Sequence, residues 1–374
     1  MGIIYLVKNK MTKSFKILKA LLFQKQNKKS VVEFYLVDTF EIYHYLPIYN
    51  AIKKEGINCS IVAEPQQINT AGSWFDYKTA IRILKRNAIK YTTKCNPNAL
   101  IAITTQFARN VSKYRNYKAE LSYGVATLQE TAFQLKEEVS REFDFQFVHG
   151  CLCKNIIDNL KYHANSIIIG YPKYVDFFKS RPRKDNILLE LNIKTRKPFL
   201  LYLPTWDEWS SITNYAETIN SLREKFFVIA KPHHCTQRLK EKEDEMNLLR
   251  SCSDFLLDAN YSLAKTSILA DVIIVDGKSG ATTEISYLVP ETPMLIIRGI
   301  QKDEEYIIEQ EKLGQICYNV EELQNKLQNL SLSEKWLSIK NNYIKELFSV
   351  TPEEGIDKII CLVKDLMKQE KMRI

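Results

Sequence analysis

From Val31 onward, short apolar runs alternate with longer stretches in which apolar side chains recur every three or four positions. That alternation predicts an α/β fold built on parallel sheets, because strands covered by helices on both faces read as continuous apolar runs. The runs predict strands at Val31–Val37, Cys59–Ala63, Ala99–Thr104, Ala119–Gly124, Phe143–His149 and Ser166–Gly170, with helices over His44–Lys54 and Ala80–Ala88 between them. Between Tyr174 and Pro198 the pattern gives way to charge and loop, through Lys179, Arg181, Pro182, Arg183, Lys184 and Asp185. A second set then begins. Its predicted strands are Phe199–Leu203, Phe226–Ala230, Phe255–Leu257, Val272–Val275 and Met294–Ile297, and its helices Tyr215–Lys225, Gln237–Ser251, Leu263–Leu269, Thr282–Leu288 and those from Val320 onward. The expected organisation is a basic segment (1–30), a first domain (31–185), a second domain (186–345) and a terminal helix (346–374) able to pack back on the first.

Composition narrows the class. At 374 residues, 45% hydrophobic and 26% charged, the chain is globular and long enough for two domains. Only 11 Gly and 11 Pro exclude collagen-like and low-complexity readings. A net charge of +9 points to polyanions as partners. The lysines are dispersed, with no aromatic-interleaved basic stripe, so nucleic acid is not the expected one. The eight cysteines contain no C-x-x-C pair and follow no secretory signal, which predicts buried thiols in a reducing cytoplasm and no zinc site. The runs Lys240–Glu245 and Lys302–Glu305 read as solvated helix faces.

The first thirty residues interleave Lys8, Lys10, Lys13, Lys16, Lys19, Lys25, Lys28 and Lys29 with Phe15, Ile17, Leu18, Leu21, Leu22 and Phe23, without an acid. Two readings stand for this amphipathic stretch. It can lie in an anionic leaflet, each lysine gaining on the order of 1 kcal/mol, or it can pack on the fold by its apolar stripe. No run reaches the roughly 18 apolar residues that span a bilayer. A cytoplasmic protein, peripheral on the inner membrane face in the first reading, is expected.

Ligands in open α/β sheets bind beyond the carboxyl ends of strands, so the loops there carry the candidate chemistry. Four are unusual: Pro204-Thr205-Trp206-Asp207-Glu208-Trp209-Ser210-Ser211, Lys231-Pro232-His233-His234, Asp276-Gly277-Lys278-Ser279-Gly280-Ala281-Thr282-Thr283-Glu284, and Tyr171-Pro172-Lys173. In the third, glycines would admit a ligand to the backbone, Ser279, Thr282 and Thr283 would offer hydroxyls, and the following helix would present free N–H groups and a positive dipole end to a phosphate. An ordinary capped helix is the alternative. It is neither a Walker A loop nor a G-x-G-x-x-G turn. His44, opening the first helix, would face the same cleft as an acceptor-binding group, whereas His163 is expected to be structural.

Taken in order, Gly170-Tyr171-Pro172-Lys173 with Asp176, Leu201-Tyr202-Leu203-Pro204-Thr205-Trp206, Lys231-Pro232-His233, and Ala270 to Asp276 with Ser279 and Glu284 resemble the CDP-glycerol glycerophosphotransferases of teichoic acid and capsule synthesis, over roughly residues 95 to 300. The resemblance implies a GT-B fold, two Rossmann-like domains facing a cleft, with the nucleotide held mainly by the second. It implies metal-independent transfer of glycerol phosphate from CDP-glycerol to a hydroxyl of a lipid-linked saccharide or polymer, with no cofactor. His233 would bind the pyrophosphate or assist departure of the leaving group, Ser279 and nearby amides would hold phosphate, and Glu284 would lie near the ribose. Thr205, Trp206, Lys231, Asp276, Lys278, Gly280, Thr282, Pro172 and Lys173 complete the expected donor site. No Asp-x-Asp stands at a strand end, in keeping with metal independence.

The chain departs from that family at two places. Where members carry a His-Gly pair whose histidine is the acceptor's base, this sequence has Ser122-Tyr123-Gly124, and a tyrosine with a pKa near 10 is a poor base. His149-Gly150 supplies such a pair further on, so His149 or Tyr123 is the candidate base; His149 also fits an ordinary strand-end histidine. At the Asp276 turn, Gly277 and Lys278 replace the usual aromatic and serine. Two alternatives therefore stay open: a GT-B glycosyltransferase using a nucleotide sugar, and a catalytically silent nucleotide-binding member.

Overall fold

The computed structural model describes residues 31–65, 77–105, 111–124, 142–159, 163–298, 309–330 and 333–373. The basic segment 1–30 and the charged run Lys302–Glu305 lie outside them. Two parallel sheets organise the chain. The first has seven strands, β1 (Val32–Tyr35), β2 (Cys59–Val62), β3 (Tyr91–Thr92), β4 (Ile101–Thr104), β5 (Tyr117–Leu121), β6 (Phe145–Val148) and β7 (Asn165–Ile168), in the order β3-β2-β1-β4-β5-β6-β7. The second has six, β8 (Phe199–Leu203), β9 (Phe227–Ala230), β10 (Phe255–Leu256), β11 (Val272–Asp276), β12 (Met294–Ile297) and β13 (Gln315–Cys317), in the order β10-β9-β8-β11-β12-β13. Each order reverses direction beside its first strand, between β1 and β4 and between β8 and β11, which opens a crevice at those carboxyl ends. The registers put Val32 opposite Cys59 and Ile101, and Val272 opposite Leu200. The central strands FLLYL and VIIVD are buried along their whole length, as helices on both faces require.

The regular α/β elements follow the apolar pattern closely, with instructive exceptions. Helix Glu41–Lys54 begins three residues before the expected start and carries Pro47 inside it. The stretch expected as one helix over Gln237–Ser251 is instead His234–Arg238, a 3₁₀ turn Lys240–Lys242 and helix Glu243–Cys252, because Leu239 has an extended backbone (φ −81°, ψ 125°). The edge strands β3 and β13 are too short to show periodicity.

Beyond the second sheet the chain crosses back. Helix Pro352–Arg373 starts with a reciprocal cap in which Thr351 Oγ1 accepts from Glu354 N (3.2 Å) and Glu354 Oε2 accepts from Thr351 N (2.8 Å), with Pro352 at the first helical position. It adds Ile356, Ile359, Ile360, Val363 and Leu366 to the core of the first lobe, alongside Ile42, Tyr45 and Ile52 of helix Glu41–Lys54. A separate core joins Tyr171, Tyr174 and Phe177 to Leu201, Ile273 and Phe348, so the two lobes share packed apolar surface. No described helix is long and apolar enough to cross a membrane.

Candidate active site

The loops leaving the carboxyl ends of both sheets meet. From the second lobe, β9 runs into Lys231-Pro232-His233, and His233 is the N-cap of helix His234–Arg238, its Nδ1 accepting from Cys235 N at 3.2 Å. Burial and the neighbouring His234, Lys231 and Arg238 charges hold the His233 imidazole well below its usual pKa. A neutral ring whose Nδ1 is an acceptor carries its proton on Nε2 and is a donor there. His233 stacks on Trp206 (5.9 Å, 14°) and lies 4.1 Å from His234, whose pKa burial lowers to about 4. Lys231 donates to Ala259 O (2.6 Å), and burial together with the Lys173 charge lowers it to about 8.

The Asp276 turn is organised differently from the expected cradle. Asp276 Oδ2 accepts from Thr205 N (2.7 Å) and Ser211 N (3.0 Å), pinning the β8 loop; its carboxyl is fully buried and pushed up to about 6. Asp276 therefore pins the Trp206 loop through Oδ2. Thr282 Oγ1 donates inward to Asp276 O and Thr283 Oγ1 to Gly280 O, so the two hydroxyls serve the turn itself. Ser279 Oγ accepts from Ala281 N (3.3 Å) at the start of helix Ala281–Leu288. Gly277 is a packing glycine: a Cβ there would lie 2.8 Å from Arg298 Cγ and 3.2 Å from Ile297 O. At Gly280 a Cβ would meet nothing within 4 Å, leaving that face of the turn open. Lys278 Nζ sits 4.7 Å above the Trp209 ring.

Contacts across the cleft are ionic and aromatic. Lys173, just beyond Tyr171-Pro172, pairs with Glu284 (2.9 Å), which also accepts from the Tyr174 hydroxyl. Glu284 is thus engaged by the first lobe, a partner the sequence did not suggest. Arg238 approaches Asp38 at 3.9 Å, and Phe40 meets His234 with ring centroids 5.9 Å apart. Asp38 and Arg238, which meet across the cleft, were passed over by motif reasoning, whereas His234 stood in the Lys231-Pro232-His233-His234 loop; for Asp38, the one available signal was its place just after β1.

The two candidate bases fall in different environments. His149 is 1% exposed, its ring edge-on to Tyr171 (4.6 Å) and Phe348 (5.9 Å), inside the core and behind Tyr171. Gly150 beside it is required by close approach of the chain, since a Cβ would lie 2.4 Å from Glu346 O. Tyr123 is 39% exposed at the cleft, and its carbonyl accepts from the Tyr171 hydroxyl at 2.7 Å. His44 lies between them, in ring contact with Tyr123 (6.2 Å), Tyr171 (5.8 Å) and Phe40 (6.0 Å). Among the described residues, His233, His234 and Cys235 bring possible metal donors within 4.8 Å of one another. The donor set suits a divalent ion poorly. Lys231 and Arg238 flank it, and burial pushes the Cys235 thiol up to about 12, far from the thiolate a metal takes.

Two all-parallel Rossmann-type sheets whose carboxyl ends share one cationic, histidine-bearing cleft define a GT-B enzyme. Residues 77–349 match the model of the family described as CDP-Glycerol:Poly(glycerophosphate) glycerophosphotransferase. The chain belongs to that family of transferases. Solved structures of the wall teichoic acid polymerase TagF are similar at 14% identity and TM-score 0.61, covering 96% of this chain and 98% of that one. A histidine-to-asparagine TagF variant soaked with CDPG gives 13% identity and the same TM-score and coverage. A glycosyltransferase from Rickettsia africae (13%, 91% and 99% covered, TM-score 0.56) and UDP-GlcNAc 2-epimerase from Neisseria meningitidis bound to UDP-GlcNAc (12%, 90% and 99%, 0.56) share the architecture. At such identities the likeness is one of fold. No curated protein matches the sequence.

Proposed function

We propose that the chain moves glycerol phosphate, or a related polyol phosphate, from a CDP-activated donor to a hydroxyl of a lipid-linked saccharide or growing polymer in bacterial envelope or capsule synthesis. Residues 186–345 act as the donor lobe and 31–185 as the acceptor lobe, and the lysine-rich segment before Val31 holds the enzyme against the inner face of the membrane. Phosphoryl transfer asks mainly for charge stabilisation and positioning. Lys231 and Lys173 reach the cleft from opposite lobes, close enough for Lys173 to depress Lys231. The observation that carries the reading is this pair of ammonium groups at the strand ends of opposite lobes, Lys173 held by Glu284 (2.9 Å) and Lys231 by the Ala259 carbonyl (2.6 Å), a pair that a pyrophosphate can take as joint partners. The neutral His233 donates to a phosphate oxygen, and Ser279 with the open backbone at Gly280 and the start of helix Ala281–Leu288 holds the other phosphate. Trp206, Lys278 and Thr205 shape the nucleotide side.

The test is incubation of the full chain with CDP-glycerol and a lipid-linked acceptor. CMP release is the expected result, and His233→Ala should lower it at least about 100-fold, the scale of losing one oriented donor to a developing charge. Release of UDP or GDP from a nucleotide sugar, with none of CMP, would overturn the reading.

A further inference from the structure

We propose that the exposed face of helix Tyr77–Arg86 is a docking track for the phosphodiester chain of an anionic polymer acceptor, an inference that rests on the transferase reading above and names the surface that holds the polymer behind its reacting end. The positive charge of the chain is unevenly placed. From Tyr77 to Ala119 there are ten Lys and Arg and no Asp or Glu. Four of the ten, Lys78, Arg82, Lys85 and Arg86, are exposed on this one helix, which has no acid of its own to pair with them. Lys78, Arg82 and Arg86 recur every fourth residue and form one row, each step rising about 6 Å. Successive phosphates of a glycerol phosphate chain joined through its terminal hydroxyls stand six bonds apart, at most about 7 Å when extended. The row therefore matches one cation to each phosphate.

Topology sets where the row leads. β2 and β3 are parallel neighbours, so the helix joining them runs back along the sheet, with Lys78 toward the carboxyl ends that face the cleft and Arg86 toward the opposite rim. Lys53, Lys54 and Lys90, all exposed, continue the positive surface at that rim, where helix Glu41–Lys54 ends and β3 begins. A polymer with its growing end in the cleft has its older repeats leaving along this path.

The occupant is a polymer and not a membrane, because the helix has no apolar face left to insert. Ala80 and Leu84 are buried in the first lobe's core, and Tyr77, Ile81 and Ile83 pack against it. None of the large apolar side chains exposed among the described residues lies on this helix. A helix lying in a leaflet buries an apolar face there, and a surface that holds single-stranded nucleic acid stacks the bases on rings; this face offers neither. Ammonium and guanidinium groups in water remain, and they suit a flexible phosphodiester chain held by charge.

The experiment compares the full wild-type chain with three triple variants. The first is Lys78→Gln, Arg82→Gln, Arg86→Gln; the second, Lys78→Arg, Arg82→Lys, Arg86→Lys, retains the charge; the third, Lys194→Gln, Lys225→Gln, Lys335→Gln, removes as much charge from exposed positions of the second lobe. Two quantities are read: CMP release from CDP-glycerol, with poly(glycerol phosphate) or a glycoside bearing one glycerol phosphate as acceptor, and the anisotropy of labelled poly(glycerol phosphate) without donor. Expected for the first triple are a rise of about tenfold in KM and Kd for the polymer and a fall of about 2 in the slope of log Kd against log salt, about 0.7 for each of three phosphates. Its kcat, and its KM for the short acceptor, should stay within about twofold of wild type, and the other two triples should match wild type throughout. Equal polymer binding by wild type and the first triple, or the same loss in the third, would overturn the track, while CMP release by wild type would keep the transferase reading. Loss of sedimentation with phosphatidylglycerol vesicles in the first triple, at unchanged polymer Kd, would overturn the track in favour of a membrane contact. Wild type that binds the polymer through the row but releases no CMP would remove the transferase reading and leave the track.

Discussion

Gly355 sits in the second turn of helix Pro352–Arg373, where helix propensity and packing give opposite signs for its replacement by alanine. On propensity alone, Gly→Ala in a helix interior stabilises by about 1 kcal/mol. Packing opposes this, because a Cβ at Gly355 would lie 1.6 Å from Ile169 O and 2.5 Å from Ile169 C, both backbone atoms at the end of β7. Restoring even the 3.0 Å floor of real Cβ contacts needs a shift of at least 3.0 − 1.6 = 1.4 Å. That displacement must be taken by the helix whose Ile356, Ile359, Ile360, Val363 and Leu366 complete the first lobe's core. Overpacking of this kind costs about 1–3 kcal/mol or more, so the net change is destabilising by up to about 2 kcal/mol. At about 2–4 °C per kcal/mol for a lobe of this size, Tm should fall by up to about 8 °C. Thermal scanning with amide exchange over residues 352–373 reads the effect, and the helix amides should lose protection first. Gly280→Ala is the internal control: with nothing within 4 Å of the added methyl and φ at −58°, it should be neutral or slightly stabilising. A rise in Tm for Gly355→Ala would refute the close crossing of helix and strand end.

Two further substitutions test the site's electrostatics. Lys231→Met removes a buried ammonium whose pKa has dropped from 10.5 to about 8, a penalty of about 3 kcal/mol at neutral pH, less about 1 for the lost bond to Ala259 O. Because the depressed group's stability contribution is present above its unfolded pKa and lost as pH falls through 8, the variant's advantage in Tm should be largest near pH 7 and vanish toward pH 10.5; an advantage constant across that range would refute the burial argument. Asp276→Ala strands the buried Thr205 and Ser211 amides and should cost about 2–4 kcal/mol, whereas Asp276→Asn should cost less and abolish the pH dependence between about 4 and 6; equal losses in urea titrations of the two variants would show that the pinning bonds are not made.

The architecture was legible because parallel strands such as Val272–Asp276 are buried on both faces and write themselves as unbroken apolar runs. The break at Leu239 was not, since the charged run around it has the composition of one solvated helix, while the cap at His233 starts the first piece early and the extended Leu239 ends it. At the site, Lys231 and His233 stood out because strand ends are seldom so polar. The internal bonds of Thr282 and Asp276 and the packing of Gly277 could not be read from composition. A small, hydroxyl-rich turn looks the same whether its groups face a ligand or brace one another, and only the bonds to Thr205, Ser211 and the turn's own carbonyls decide. Cross-lobe partners were out of reach: Lys173 and Glu284 are 111 residues apart, and nothing local to either specifies the other.

Those partners change what the net charge of +9 means at the site. The cleft's cations do not stand open as a uniform positive field. Lys173 is neutralised by Glu284, Arg238 is opposed by Asp38, Lys231 turns to an uncharged carbonyl and Lys278 lies over the Trp209 ring. Each ion pair has one member on either lobe, so the attraction that closes the cleft is the same attraction an anionic ligand would compete for. A doubly charged pyrophosphate entering beside Lys231 can draw Lys173 from Glu284, and the carboxylate it releases is still held by the Tyr174 hydroxyl. Binding would then exchange one partner of Lys173 for another and place an anion beside both Lys173 and Lys231. Closure and ligand capture would then be coupled through Lys173. Lys173→Met should weaken donor binding and loosen the lobes together, whereas Glu284→Gln should loosen the lobes and tighten donor binding.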